Sequence, residues 1–94
     1  MYKLSNKAAE DFGDIYEYTF THFGEDQADK YTDELESVLK NISESPFMGH
    51  DCDDLKVGVR RHEYQKHTIY YRIREMDVFV VRILHQHMNP MLHL

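Results

Sequence analysis

The sequence predicts an α+β fold with the order β-α-α-β-β-β, a helical hairpin packed on an antiparallel sheet, in a single domain spanning residues 1–94. Three observations predict it. Apolar residues recur at three- and four-residue steps in the first half of the chain, and at alternate positions in the second half. The period changes across a turn-rich stretch that begins at Pro46. The links between the later runs are short, so those runs form an antiparallel meander that the helices must cover on one face.

Tyr2-Lys3-Leu4 is short and alternating, and Ser5 offers a side-chain oxygen to the free amides of a helix start. From Asn6 the residues Ala8, Phe12, Ile15, Tyr16, Thr19 and Phe23 lie on one helical face, which ends at Gly24. A second helix begins with Glu25 and Asp26, whose charges suit the positive end of a helix dipole. Its apolar stripe is Ala28, Tyr31, Leu35, Val38, Leu39 and Ile42, and Ser45-Pro46 ends it, because the residue before a proline is pushed out of the helical region. Gly24 is too short a connector for anything but a packed hairpin of two helices, each about 25–30 Å long at 1.5 Å per residue. After the loop from Pro46 to Asp54, strands are predicted around Val57–His62, Thr68–Ile73 and Val78–Ile83, with turns near Glu63–Lys66 and Glu75–Asp77. In the last strand, Phe79, Val81 and Ile83 are expected on one face and Val78, Val80 and Arg82 on the other. The N-terminal strand would be tied into the sheet by pairing with the last or a central strand.

Ninety-four residues leave no room for a second core. With 41% hydrophobic and 30% charged residues the chain reads as globular, and no run of about 18 apolar residues spans a bilayer. The opening residues lack the basic-then-apolar layout of a secretory signal, and one cysteine, Cys52, makes no internal disulfide, so a reduced cytoplasmic location is expected. The net charge of −6 is unevenly distributed. Residues 1–50 hold four lysines against eleven acidic residues, whereas from Lys56 onward seven basic residues face three acidic ones and are joined by five of the seven histidines. An anionic partner would be steered to the second half.

Several chemistries can be weighed against these residues. His85 and His87 lie two apart at a strand end, as two ligands of one ion would, but no CxxC, HExxH or carboxylate box accompanies them, so neither a metal site nor a cofactor is expected. Cys52 stands between Asp51 and Asp53, whose charges suppress the thiolate that a nucleophile needs. Metal-free RNA cleavage requires a base, an acid and cations for the phosphate. Glu63 or His62, His85 or His87, and Arg61 with Arg82 would supply those types. Arg82, between Val81 and Ile83, serves equally well as a structural ion-pair partner.

Order and spacing single out a set of fragments. They are Leu4-Ser5 with Ala8, Ala9 and Asp11, Ile15 with Tyr18-Thr19, and Phe23-Gly24 with Gln27-Ala28 and Tyr31. Pro46 with Gly49 and Asp53-Asp54-Leu55 with Gly58 and Arg60-Arg61 follow. The run from His67 to Arg72, then Val81 to Asn89 and His93-Leu94, is the most specific part. Together these fragments resemble the ParE toxins, a branch of the RelE/ParE superfamily of bacterial toxin–antitoxin proteins. The resemblance implies a toxin that binds DNA gyrase and blocks replication, with no catalytic residues, neutralised by a ParD-like antitoxin in a hetero-oligomer that represses its own operon. RelE-like relatives cut ribosome-bound messenger RNA instead, usually with a basic residue and often a tyrosine after the last strand. Here Gln86-His87-Met88-Asn89 stands at that place, which favours the gyrase branch, while Arg61 keeps the strand position of the nucleases' phosphate-binding arginine. A non-toxic binding module is the third alternative. Target contacts are expected at Arg61, Arg82, His85, His87, Met88 and Asn89, with little direct contact to nucleic acid. An antitoxin is expected in an apolar groove at the helix-to-sheet boundary, involving Tyr16, Phe20, Tyr31 and Val38.

Overall fold

A computed structural model describes residues 1–94. It contains β1 (Tyr2–Leu4), α1 (Asn6–Phe23), α2 (Glu25–Glu44), a 3-10 turn (Pro46–Met48), β2 (His50–Asp51), β3 (Arg60–Tyr64), β4 (His67–Ile73), β5 (Val78–His85) and α3 (Pro90–His93). The sheet order is β1-β5-β4-β3-β2. All neighbours are antiparallel except β1, which pairs with the last strand, as one of the expected arrangements had it, and runs parallel to it with Tyr2 opposite Val78 and Leu4 opposite Val80, so the sheet is mixed. A parallel neighbour needs a long crossover, and the rest of the chain supplies it.

Ser5 makes the junction between β1 and α1. Its Oγ accepts from the Ala8 amide at 2.9 Å as the helix N-cap and donates to the Val81 carbonyl at 2.7 Å, fixing the first turn of α1 to the sheet edge. At the hairpin, Gly24 has φ +92°, a backbone conformation that side chains resist, and its single residue closes α1 and opens α2. Ala8, Ile15, Leu35, Leu39 and Ile42 then meet Ile69, Tyr71, Val78, Val80 and Ile83 from the sheet to form the main core. Each of the large aliphatic residues contributes about 1.5–3 kcal/mol by leaving water. Thr19 and Thr32, buried with them, return their hydroxyls to the Ile15 and Ala28 carbonyls of their own helices. A smaller cluster of Cys52, Val59, Tyr70 and Leu84, covered by Leu55 and Leu94, lies on the sheet face away from the helices.

The third strand departs from expectation. It begins at Arg60 rather than Val57, because Cys52–Val59 forms a closed turn in which the Cys52 amide donates to the Val59 carbonyl and Gly58 adopts φ +82°. Within β5 a bulge at Val81 lies between the pairs Tyr71–Val80 and Tyr70–Arg82. The bulge reverses the alternation: Val78, Val80 and Ile83 face the helices, and Arg82 and Leu84 face away, so the uninterrupted alternation expected for this strand is corrected. The acidic half of the sequence thus becomes the helical layer and the basic half becomes most of the sheet.

Candidate functional site

β1 covers only the first part of the β5 edge. Beyond Val80, α1 takes over: Asp11 Oδ2 accepts the Ile83 amide at 3.0 Å, and the two Asp11 oxygens grip Arg82 through Nε at 2.8 Å and Nη2 at 2.9 Å. Both side chains are largely shielded, and the paired carboxylate raises the Arg82 pKa above its ordinary value. Arg82 Nη1 is left to donate to the His93 carbonyl at 3.1 Å.

Beside this ion pair an open groove of about 750 Å³ runs between α1 and the β4–β5 end of the sheet. Its apolar rim is Tyr18 (61% exposed), Phe23 (67%) and Met88 (37%), around Ile15 and Ile83. Asp11 and Asp14 stand on the α1 wall, and Lys66, His67 and His85 on the strand wall. Exposed aromatic and methionine side chains lining a concave surface are the features of a protein-docking site. Tyr18 is held by stacking on His22, with ring centroids 4.0 Å apart. On the groove floor, burial and then the neighbouring His85 push His67 down to about 4, so its imidazole is neutral at pH 7. His85 packs edge-on against His67 at 5.4 Å and lies 5.0 Å from the His87 ring.

Of the four residues expected to hold an antitoxin, Tyr31 alone lines this groove. Tyr16 donates instead to Asp29 Oδ1 at 2.9 Å, bridging the two helices; Phe20 stacks on Tyr16, and Val38 packs partly buried against the core. Phe23, expected on the apolar face of α1, is instead exposed at its end, and Tyr18 flanks that face; only the fold shows that nothing covers them.

The six expected target-contact residues are spread over three places. Arg61 is exposed opposite Tyr70 on the face away from the helices and has no ion-pair partner. Arg82 is committed to Asp11. His85 and Met88 line the groove, the His87 amide donates to His85 Nδ1 at 3.2 Å, and Asn89 Oδ1 caps α3 by accepting the Met91 amide at 2.9 Å.

The residue types needed for RNA cleavage are likewise not gathered. Arg61 and Glu63 pair with Tyr70 and Thr68 on one face of β3, while His62, opposite Ile69, and His85 lie on the helix side. No group of three or more His, Cys, Asp or Glu side chains is placed to hold a metal ion. Burial, more than its acidic neighbours, raises the Cys52 thiol, which donates to the Val59 carbonyl. No helix is long and apolar enough to cross a membrane.

Residues 2–90 match the family described as the ParE toxin of type II toxin–antitoxin system, parDE. A protein named Toxin ParE1 from Caulobacter vibrioides is 38% identical over 93 residues, covering 99% of this chain and 96% of that one. Toxin ParE1 from Mycobacterium tuberculosis is 35% identical over 89 residues, covering 94% and 91%. Among solved structures, a chain of the chromosomal ParDE TA system from P. aeruginosa superposes with a TM-score of 0.76 at 22% identity, over 89% of this chain and 92% of that one, and so shares the fold.

Proposed function

The chain belongs to the ParE toxins of type II toxin–antitoxin systems, and from that membership we propose that it inhibits DNA gyrase by binding, with no catalytic residues of its own. The observation that carries the choice against RNA cleavage is the scatter of the residue types it needs: Arg61 and Glu63 lie on the sheet face away from the helices, His62 and His85 lie on the helix side, and Arg82 is already paired. A phosphate clamp needs a free guanidinium, and both carboxylate oxygens of Asp11 already occupy this one. Inhibition by binding requires only a complementary surface, which exposed Arg61 and the segment after β5 supply as target contacts.

The same reading gives the chain a ParD-like antitoxin as partner in a cytoplasmic hetero-oligomer. Its C-terminal part is an amphipathic helix whose apolar side sits on Tyr18, Phe23 and Met88. No metal or cofactor takes part, and DNA contacts in the complex come from the antitoxin.

Purified chain incubated with gyrase and supercoiled plasmid is expected to inhibit supercoiling or to accumulate linear DNA. Normal gyrase activity at a large excess of chain, with cleavage of ribosome-bound message, would replace this reading by the nuclease, for which the unpaired Arg61 is the candidate phosphate ligand. Unaffected growth on induced expression of folded chain would identify a non-toxic binding module.

A further inference from the structure

The segment after β5 has little of its own to hold it in place. Its internal hydrogen bonds are local: the Met88 amide to the His85 carbonyl, the Met91 amide to Asn89 Oδ1, and the Leu94 amide to the Pro90 carbonyl. A helix of four residues is unstable in isolation, and the side chains of Met91 and Leu92 are 75% and 78% exposed. Two contacts fasten its far end to the sheet. Leu94 covers the Cys52, Val59, Tyr70 and Leu84 cluster, and the His93 carbonyl accepts from Arg82 Nη1.

We propose that Arg82 is a positioning residue for the segment Gln86–Leu94, with Asp11 fixing the guanidinium that in turn fixes the last turn of the chain against the sheet. The bulge at Val81 turns Arg82 to the face opposite the helices, and its side chain returns around the edge that β1 leaves uncovered. There Nε and Nη2 take the carboxylate side-on, which leaves Nη1 for the carbonyl of His93. Only a planar fork serves both acceptors in this way; a lysine in the same place meets the carboxylate as a point charge and leaves the carbonyl without its donor. Asp11 is at the same time a wall of the groove, so one ion pair links the α1 wall of the groove to the segment, whose Met88 stands on the groove rim. The proposal extends beyond the toxin reading and does not depend on it, because the chain alone suffices to test it.

The test is nuclear magnetic resonance on the full chain and on two variants, Arg82→Lys and Asp11→Asn. In the unsubstituted chain, Leu94 methyl protons should show cross-relaxation to Tyr70 and Leu84, and the amides of Leu92, His93 and Leu94 should have the order of rigid backbone. In Arg82→Lys those cross-peaks should disappear and backbone order parameters at residues 92–94 should fall below about 0.6. Amide exchange in α2 and β4 should stay unchanged. Asp11→Asn, which keeps an acceptor for the Ile83 amide but loses the charge, should show the same loss and provides the reading if Arg82→Lys does not fold. A disordered segment in the unsubstituted chain, retained order in either folded variant, or loss only in proportion to faster exchange in α2 and β4 would overturn the proposal. Rescue by lysine would mean that Arg82 merely anchors the sheet edge.

Discussion

The Tyr31 hydroxyl meets His67 Nδ1 at 2.7 Å and ties the middle of α2 to the first residue of β4. The imidazole is neutral at pH 7, and its tautomer sets which of the two groups donates. The two rings also pack edge to face, 5.6 Å between centroids, with Tyr64 against the other side of Tyr31. Tyr64 donates to Glu34, and burial together with that carboxylate pushes its phenol up to about 12. Replacing Tyr31 by Phe should destabilise the fold by about 1 kcal/mol, measured by urea unfolding, because it removes one hydrogen bond and keeps the packing.

His67 makes stability depend on pH in a defined direction. Its pKa lies at about 4 in the folded chain, below the ordinary value of 6.5, so the unfolded state binds the extra proton between those values. The contribution is therefore complete above pH 6.5 and is lost as the pH falls towards 4. Allowing for solvent screening of a partly exposed ring, the loss is about 1–2 kcal/mol. In urea melts at pH 7 and pH 4.5, His67→Gln should lose less stability on acidification than the unsubstituted chain. Equal losses would remove His67 as the cause.

Tyr71 anchors the loop after α2. Fully buried, it donates to the Pro46 carbonyl at 2.6 Å and accepts from the Gly49 amide at 3.1 Å. Tyr71→Phe leaves both backbone groups unpaired and should cost about 1–3 kcal/mol in urea unfolding. Gly49→Ala should cost a similar amount for a steric reason: its new methyl would meet the Arg61 carbonyl and the Tyr71 hydroxyl well inside van der Waals contact.

The groove and the core separate two kinds of substitution. Tyr18→Asp and Phe23→Asp alter exposed rim positions and should leave thermal unfolding within a few degrees of the unsubstituted chain, yet abolish co-purification with the ParD-like antitoxin proposed as its partner. Val38→Asp, packed against the core, should instead lower stability by about 2 kcal/mol or more. Retained co-purification in the folded rim variants would move the docking site elsewhere.

At Gly24 any side chain is strained, so Gly24→Ala should destabilise the hairpin by about 1–3 kcal/mol although the space beside it is empty. Arg61→Ala, exposed and unpaired, should change stability by no more than about 0.5 kcal/mol while weakening the proposed inhibition of gyrase. Calorimetry checks the first, and calorimetry with a supercoiling assay checks the second.

Helix boundaries were legible because their signals are local: Ser5, Gly24 and Ser45-Pro46 stand where α1 and α2 begin and end. The start of β3 was not, since Val57 and Val59 alternate as a strand would, and the turn that excludes them is closed by a hydrogen bond from Cys52. Neither was the bulge at Val81, which owes its position to Ser5 and Asp11, some 70 residues or more away in sequence. The groove was legible as a place but not as a set of residues. Tyr16 and Tyr18 are equally aromatic in sequence, and only the packing of α2 decides that the first is used internally and the second is left exposed.

The pairing of β1 with β5 joins residues 76 positions apart in sequence, Tyr2 with Val78. During synthesis α1 and α2 emerge first, and their apolar stripe waits for the strands that cover it. The edge strand closes only after Val80 has left the ribosome. Long-range closure of this kind is slow, and the exposed stripe is a site for chaperone capture or self-association until it is complete. A nascent chain halted before β5 therefore presents neither the groove nor the fastened segment, so truncated translation products should be inert and short-lived rather than weakly active.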